Sequence, residues 1–405
     1  MERKVRIISI SGQPLSGKST AIDKMTELLK EQGIKDEDIH VVSVGKMFRE
    51  YFNKIMDLSS ALKNKSKEEL KQIPVDDELK QLCSNKLLRN KMKQALVNLL
   101  TSEFDISSFD IEKANNSLEL KEIRDLIDTI VDTRVAELGK EAIKNNRENE
   151  VWIMDSRLAF SNIPESFAVR LTVRDDIAGE RLFAGTRKRG KEDNNYADVK
   201  EAMEKTIKRG QGEEKRYKER YGIELSNEDN YNLIIDTSFS NVDDIANTIL
   251  QCEELERHGK SYGKRWTSPK MLIPMQGELD TLRPGFGSGL NIDEIRELIK
   301  ENGYEPDSEI FVFEYNGRLY IKEGHHRNFA AAQLGYTLVP YEKDEEMEEN
   351  KKEQWANCLS IAKLTGHEQF FDTKYPDGST NMFSYNYVFP GIYNEIRERT
   401  KNRGR

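Results

Sequence analysis

The chain has 405 residues, which at about 150 residues per domain gives two to three domains. With 63 Lys plus Arg against 72 Asp plus Glu its formal charge is -9, which argues against duplex-DNA binding driven by overall positive charge and leaves only local basic patches. A content of 37% hydrophobic and 33% charged residues excludes bulk disorder, and no apolar run approaches the roughly 18 residues that span a bilayer.

MERK passes directly into VRIISI, so neither a signal peptide nor an anchor is expected. Cys83, Cys252 and Cys358 are too widely spaced for a disulfide framework or a CxxC metal pair, and a reducing cytoplasm is the expected compartment.

Residues 5–10 read as a buried strand, 17–32 as a helix and 39–44 as a second strand, the opening of a parallel α/β sheet. Between the first strand and helix lies Gly-Gln-Pro-Leu-Ser-Gly-Lys-Ser at 12–19, matching G-x-x-x-x-G-K-[ST] in the required context. Gly12 and Gly17 let the backbone curl so that successive N–H groups face one anion, and the helix N-terminus adds positive potential. Lys18 is expected to reach the β/γ-phosphates of ATP and the Ser19 hydroxyl to bind Mg²⁺. Ser16 and Thr20 complete the predicted nucleotide-binding loop.

From about 53 to 148 the pattern is helical and rich in Lys, Glu and Asn, with 121–144 the clearest amphipathic stretch. Strand patterns return at 151–154, 167–173 and 232–236, with a charged helical stretch over 175–221. Asp155 closes the third strand, at the carboxyl end where open α/β sheets place their chemistry, and is expected to orient Mg²⁺ through water or to hold the acceptor. Arginines gather beyond it, as phosphoryl transfer requires, because the transferring group spreads negative charge over its equatorial oxygens.

ISISGQPLSGKST, VSVGKMFRE at 42–50, IMDSR at 153–157 and YNLIIDTS at 231–238 together resemble the cytidylate kinases, most closely their archaeal-type branch. The resemblance implies a nucleoside monophosphate kinase: a five-stranded parallel sheet, a helical acceptor-binding part and an arginine-bearing lid. It implies that Arg49 holds the acceptor phosphate, that Arg157 binds the acceptor, and that Arg181, Arg187 and Arg189 close over the donor phosphates. Arg209, Glu213 and Arg216 follow the spacing of the family's R-x-x-x-D-x-x-R set for the acceptor nucleotide, with Glu in place of Asp. CMP is the default acceptor, although residues 53–122 form an insertion longer than the family's usual acceptor-binding part and the DSR sequence lacks the DGRD form of the bacterial enzymes.

Residues 257–270 carry basic and Gly residues without an apolar period and read as a linker between an N-terminal domain over 1–256 and a second domain over 271–345, followed by an extension over 346–405. In the second domain 292–302 reads as a helix and 309–323 as a hairpin turning at Asn316-Gly317. Glu-Gly-His-His-Arg at 323–327 opens a helix, and its backbone N–H groups with His326 and Arg327 form a candidate anion site at which Gly324 turns the chain. Zinc at His325 and His326 is the rival reading, disfavoured because adjacent side chains diverge and no third ligand is evident.

YNGRLYIKEGHHRNFAAAQLGYTLVPY at 315–341 resembles the ParB/sulfiredoxin-like superfamily, whose G-x-x-R box binds phosphate. Its GHHR form is similar to the free-serine kinases of that superfamily, which implies an acid-base glutamate after the first strand; Glu278 is the nearest candidate.

The combined expectation is an α/β protein, a P-loop NTPase parallel sheet with a helical insertion plus a smaller α+β ParB/sulfiredoxin-like domain. It would use ATP and Mg²⁺ and take a small-molecule phosphate acceptor, with neither nucleic acid nor membrane as partner. Two alternatives stand beside a nucleoside monophosphate kinase: a free amino-acid kinase centred on the GHHR box, and a nucleotide-responsive DNA-binding regulator of the partitioning type.

Overall fold

The computed structural model describes residues 4–62, 79–80, 85–101, 118–189, 196–274, 289–356, 371–374, 377–381 and 384–401. It divides into two compact units, one formed by Met1–Ser11 with Leu29–Ala168 and the other by Gly12–Leu28 with Val169–Arg405. All five strands expected of the kinase sheet form, at Arg6–Gly12 (β1), Ile39–Ser43 (β2), Val151–Asp155 (β3), Phe167–Thr172 (β4) and Leu233–Asp236 (β5). The molecule is an α/β fold with P-loop kinase features.

In the first unit β1 and β2 flank β3, both pairings parallel, with Ile8 opposite Ile153 and Val41 opposite the same residue. After Arg6 every β1 residue is buried, as befits a parallel strand covered on both faces, and this is why it reads as an unbroken apolar run. Helices Val44–Leu62 (α2), Lys86–Thr101 (α3) and Leu118–Asn145 (α4) follow the helical pattern of the insertion. They close a core of their own around Ile55, Met92, Leu99, Ile123 and Ile127. The far end of α4 packs Val135 and Ala142 against Ile7 and Met154.

The second unit holds the helix after the loop, Lys18–Glu31 (α1), and most of the remaining elements. The charged stretch 175–221 is two helices, Asp175–Arg189 (α5) and Val199–Tyr221 (α6). The Asp198 side chain caps α6 by accepting from Glu201 N, and Gly222 ends it at φ 69°, a left-handed turn that glycine adopts without steric cost. Val242–Arg257 (α7) follows β5.

The stretch expected to be a linker turns out otherwise at its end. Arg265–Thr267 (β6) pairs in parallel with β5 and antiparallel with Val339–Lys343 (β10), and Pro269–Met271 forms a 3-10 turn. The sheet then continues through Ile310–Tyr315 (β8), Arg318–Glu323 (β9) and Leu272–Pro274 (β7), giving the order β4-β5-β6-β10-β8-β9-β7 within this unit. Asn316 and Gly317, at φ 50° and 68°, form the tight turn of the expected hairpin. Ile292–Asn302 (α8) and His325–Gln333 (α9) pack against β8 and β10 through Ile295, Ile299, Ala330 and Val339. Glu349–Ala356 (α10) and Ile392–Lys401 (α11) build a second core with Phe313, Phe371 and Phe389. No described helix is long and apolar enough to cross a membrane.

Candidate functional site

The phosphate loop has no room for side chains where its pattern asks for glycine. A Cβ on Gly12 would lie 2.6 Å from the Leu171 carbonyl oxygen and 2.8 Å from Ser16 Oγ. Gln13 fixes the loop on β4: its N–H donates to Leu171 O at 3.1 Å and its side-chain oxygen accepts from Val173 N at 2.8 Å. Leu15 then takes φ 64° and Gly17 φ 82°, and a bulky residue in the left-handed region is a strained conformation of the kind that clusters at ligand sites. Lys18 begins α1 half-buried, while Ser19 and Thr20 are exposed at its first turn. Ser16 Oγ is buried with no protein partner within hydrogen-bonding reach. A cradle that excludes Cβ, an unmatched hydroxyl and a helix N-terminus together fit a bound phosphate.

The strained loop is held by Arg181 and Thr237. Arg181 Nη1 donates to Leu15 O at 2.9 Å and to Thr237 Oγ1 at 3.1 Å, and Nη2 donates to Thr237 O at 2.5 Å. Thr237 Oγ1 in turn lies 3.0 Å from Ser16 O and 2.9 Å from Thr172 O. Arg181, expected to close over donor phosphates, here gives its guanidinium to one loop carbonyl, that of Leu15, and to the hydroxyl and carbonyl of Thr237. Burial lowers its pKa, and the nearby Asp236 opposes that shift.

Asp236 ends β5 half-buried; burial raises its pKa, against two hydrogen bonds from Ser238 and the positive charge of Arg174 and Arg181. Asp236, Thr237 and Ser238 fall within YNLIIDTS, where only their position at a strand's carboxyl end signals a role.

In the first unit Asp155 sits opposite Ser43 in register and accepts from its hydroxyl at 3.0 Å. Arg157 follows two residues later, half-buried, and Arg49 is exposed on α2. In the second unit Arg209, Glu213 and Arg216 share one face of α6. Arg209 Nε is 3.1 Å from Glu213 Oε1, and the Arg216 guanidinium lies 5.0 Å from the Tyr217 ring centre. Arg187 and Arg189 fall in the last turn of α5, but their side chains, like Glu278, lie outside the described residues.

At the GHHR box Gly324 has φ 96° and precedes α9, so the sharp turn forms where expected. The helix begins at His325, which buries that ring; burial, with some help from His326, lowers its pKa to about 4 and keeps it neutral. His326 is half-buried and its pKa is also lowered by burial. Arg327 donates to Ser308 Oγ at 2.7 Å. Among the described residues no three His, Cys, Asp or Glu side chains converge as a metal site.

No family model matches the chain. Over 136 residues, 34% of this chain and 69% of the relative, it is 32% identical to the cytidylate kinase of Methanosphaera stadtmanae. The chain belongs to the cytidylate kinase family. Two thirds of this cytidylate kinase-family chain lies outside that likeness, so the assignment concerns a kinase-like N-terminal domain. The chain is also 30% identical over 107 residues to the S-adenosylmethionine-dependent nucleotide dehydratase of Lacinutrix mariniflava, spanning only 20% of that protein's length. The crystal structure of an uncharacterized protein from Eubacterium ventriosum, 98% covered, aligns to 62% of the chain at 13% identity and a TM-score of 0.30, too low to inform on fold.

Proposed function

We propose that the chain is a phosphotransferase that moves the γ-phosphoryl of Mg-ATP to a nucleoside monophosphate, with CMP the first choice. The observation that carries this reading is the phosphate loop, where Gly12 admits no Cβ and Leu15 is held left-handed by Arg181 ahead of the α1 N-terminus. The loop N–H groups and Lys18 would bind the donor phosphates and Ser19 would hold Mg²⁺, which when bound offsets charge on the β- and γ-oxygens. Arg49 and Arg157 would hold the acceptor phosphate, with Asp155 orienting the acceptor. Arg209, Glu213 and Arg216 would bind the rest of the acceptor nucleotide, and Arg187 and Arg189 would offset charge on the transferring group. An acceptor phosphate oxygen attacks the γ-phosphorus and ADP leaves, so no protein nucleophile is required.

Both curated relatives are named for work on nucleotides, which favours a nucleotide acceptor over a free amino acid. Gly324, His325, His326 and Arg327 remain a candidate second phosphate site. The test is label transfer from γ-labelled ATP to CMP, dCMP, UMP, AMP and free serine. We expect a labelled pyrimidine nucleotide whose formation falls at least about a hundredfold in Lys18→Ala, since charge stabilisation supplies most of the catalysis. Transfer to serine alone, or transfer indifferent to Lys18→Ala, would reject the reading.

A further inference from the structure

Residues 236–244, from the end of β5 into the first turn of α7, touch the phosphate loop at one end and the junction between α9 and β10 at the other. At the loop end Thr237 Oγ1 lies 3.0 Å from Ser16 O and 2.9 Å from Thr172 O. At the far end three groups hold Thr337, which lies between the last residue of α9, Gln333, and the first of β10, Val339. Ser240 Oγ is 3.0 Å from Thr337 O, and Asn241 N donates to Thr337 Oγ1 at 3.1 Å. Asp244 Oδ2 accepts from the Thr337 N–H at 3.1 Å and from its hydroxyl at 2.5 Å. Between the two ends Ser238 Oγ accepts from Arg174 N at 2.9 Å, and the Phe239 ring packs on the second core with the Lys270 ammonium 4.9 Å from its centre.

Two hydroxyls in this segment each face two carbonyls. Thr237 has Ser16 O and Thr172 O, and Ser240 has Thr337 O at 3.0 Å and Asp236 O at 3.2 Å. A hydroxyl carries one proton and serves one carbonyl at a time, so each side chain has two arrangements of similar geometry. Thr172 O also accepts from Thr237 N at 2.9 Å and keeps a donor when the hydroxyl turns to Ser16. A phosphate in the loop would draw on Ser16 Oγ, which has no protein partner, and a Ser16 held in place keeps the Thr237 proton on its carbonyl. Elements with two discrete arrangements that both ends can bias are what couple distant sites. A ligand that stiffens one end lowers the cost of ordering the other.

We infer that residues 236–244 form a strap that passes occupancy of the phosphate loop to the junction between α9 and β10, so that a nucleotide on the loop orders Thr337 and the end of α9. This coupling rests on the reading of the loop as an ATP site. It makes the loop and the helix that opens at the GHHR box respond together, where two separate modules would respond singly.

The test is hydrogen exchange of the full chain with and without Mg²⁺ and the non-hydrolysable ATP analogue AMP-PNP, with β8 as the reference for global stabilisation. We expect slower exchange over residues 13–20 of the loop and, beyond any change in β8, about fivefold or more slower exchange over 334–339. In Ser240→Ala and in Thr337→Val the loop should keep its protection while the slowing over 334–339 is lost. Slowing at the loop with none over 334–339, or with an equal change in β8, would overturn the strap and leave the ATP site standing. No slowing at either place would overturn both. Slowing over 334–339 that persists undiminished in both folded variants would also overturn the strap. The wild-type comparison is decisive against it even if neither variant folds.

Discussion

At Thr237 a single buried hydroxyl lies within hydrogen-bond distance of the Ser16 and Thr172 carbonyls and of Arg181 Nη1. One proton serves one carbonyl at a time while the oxygen accepts from the guanidinium, so the side chain ties loop, strand end and arginine together. Valine would keep the shape and remove all three interactions, leaving a buried guanidinium N–H and a carbonyl short of a partner. Thr237→Val is expected to cost about 1–3 kcal/mol of stability and, by releasing Leu15 from its left-handed conformation, to weaken ATP binding. Ser240→Ala is the matched control, since that hydroxyl bonds the Asp236 and Thr337 carbonyls. Denaturant unfolding and a nucleotide titration of both variants check it: equal ATP affinity in the two would remove Thr237 from the loop's support. Nothing in the sequence announces this contact, because Thr237 and Ser16 are 221 residues apart. The loop itself was legible, being eight consecutive residues whose types answer to local backbone demands.

Elements were legible where their own periodicity decides them. RIISIS reads as a buried strand because both of its faces are covered, and Asn316-Gly317 reads as a turn because only residues tolerant of positive φ fit there. The strand Arg265–Thr267 has neither property. Its three residues are too short to show a period, and it becomes a strand only through β5 on one side and β10 on the other. The same limit applies at α9, where the helix begins at His325 and buries its ring, which the residue types alone do not indicate. Gly324 sets that start. An alanine there would adopt φ near 96° and bring its Cβ within 3.3 Å of Arg327 Nη2 and 3.4 Å of Ile310 Cα. Gly324→Ala should therefore destabilise the start of α9 by about 1–2 kcal/mol. Hydrogen exchange checks it, as amides of residues 328–331 should lose roughly tenfold in protection while those of β1 keep theirs.

At the scale of the second unit, described residues after 345 form part of its core. Phe371, Val388, Phe389 and Ile392 pack with Phe313 and Tyr320, Arg318 pairs with Glu395 at 2.7 Å, and Arg174 donates to Val388 O at 2.6 Å. A mixed aromatic and basic tail gave no periodic signal of this, since its partners lie on elements far away in sequence. Within that core the buried ammonium of Lys270 makes stability depend on pH. Its pKa is about 8 in the fold against 10.5 for the ordinary amine, so the charged form costs on the order of 3 kcal/mol more inside than in the unfolded chain. Below pH 8 both states carry the proton and the full cost applies. Between pH 8 and 10.5 the unfolded chain binds more protons than the fold, so this group's contribution to stability rises with pH, then levels off. Lys270→Met keeps the packing and removes the charge, and should be more stable than wild type at pH 7, by less than the full amount because the contact with Phe239 is also lost. Melting both proteins at intervals from pH 7 to 10.5 should show the variant's advantage shrinking across the range. A difference that stays constant would mean that the lysine loses no proton preference on folding.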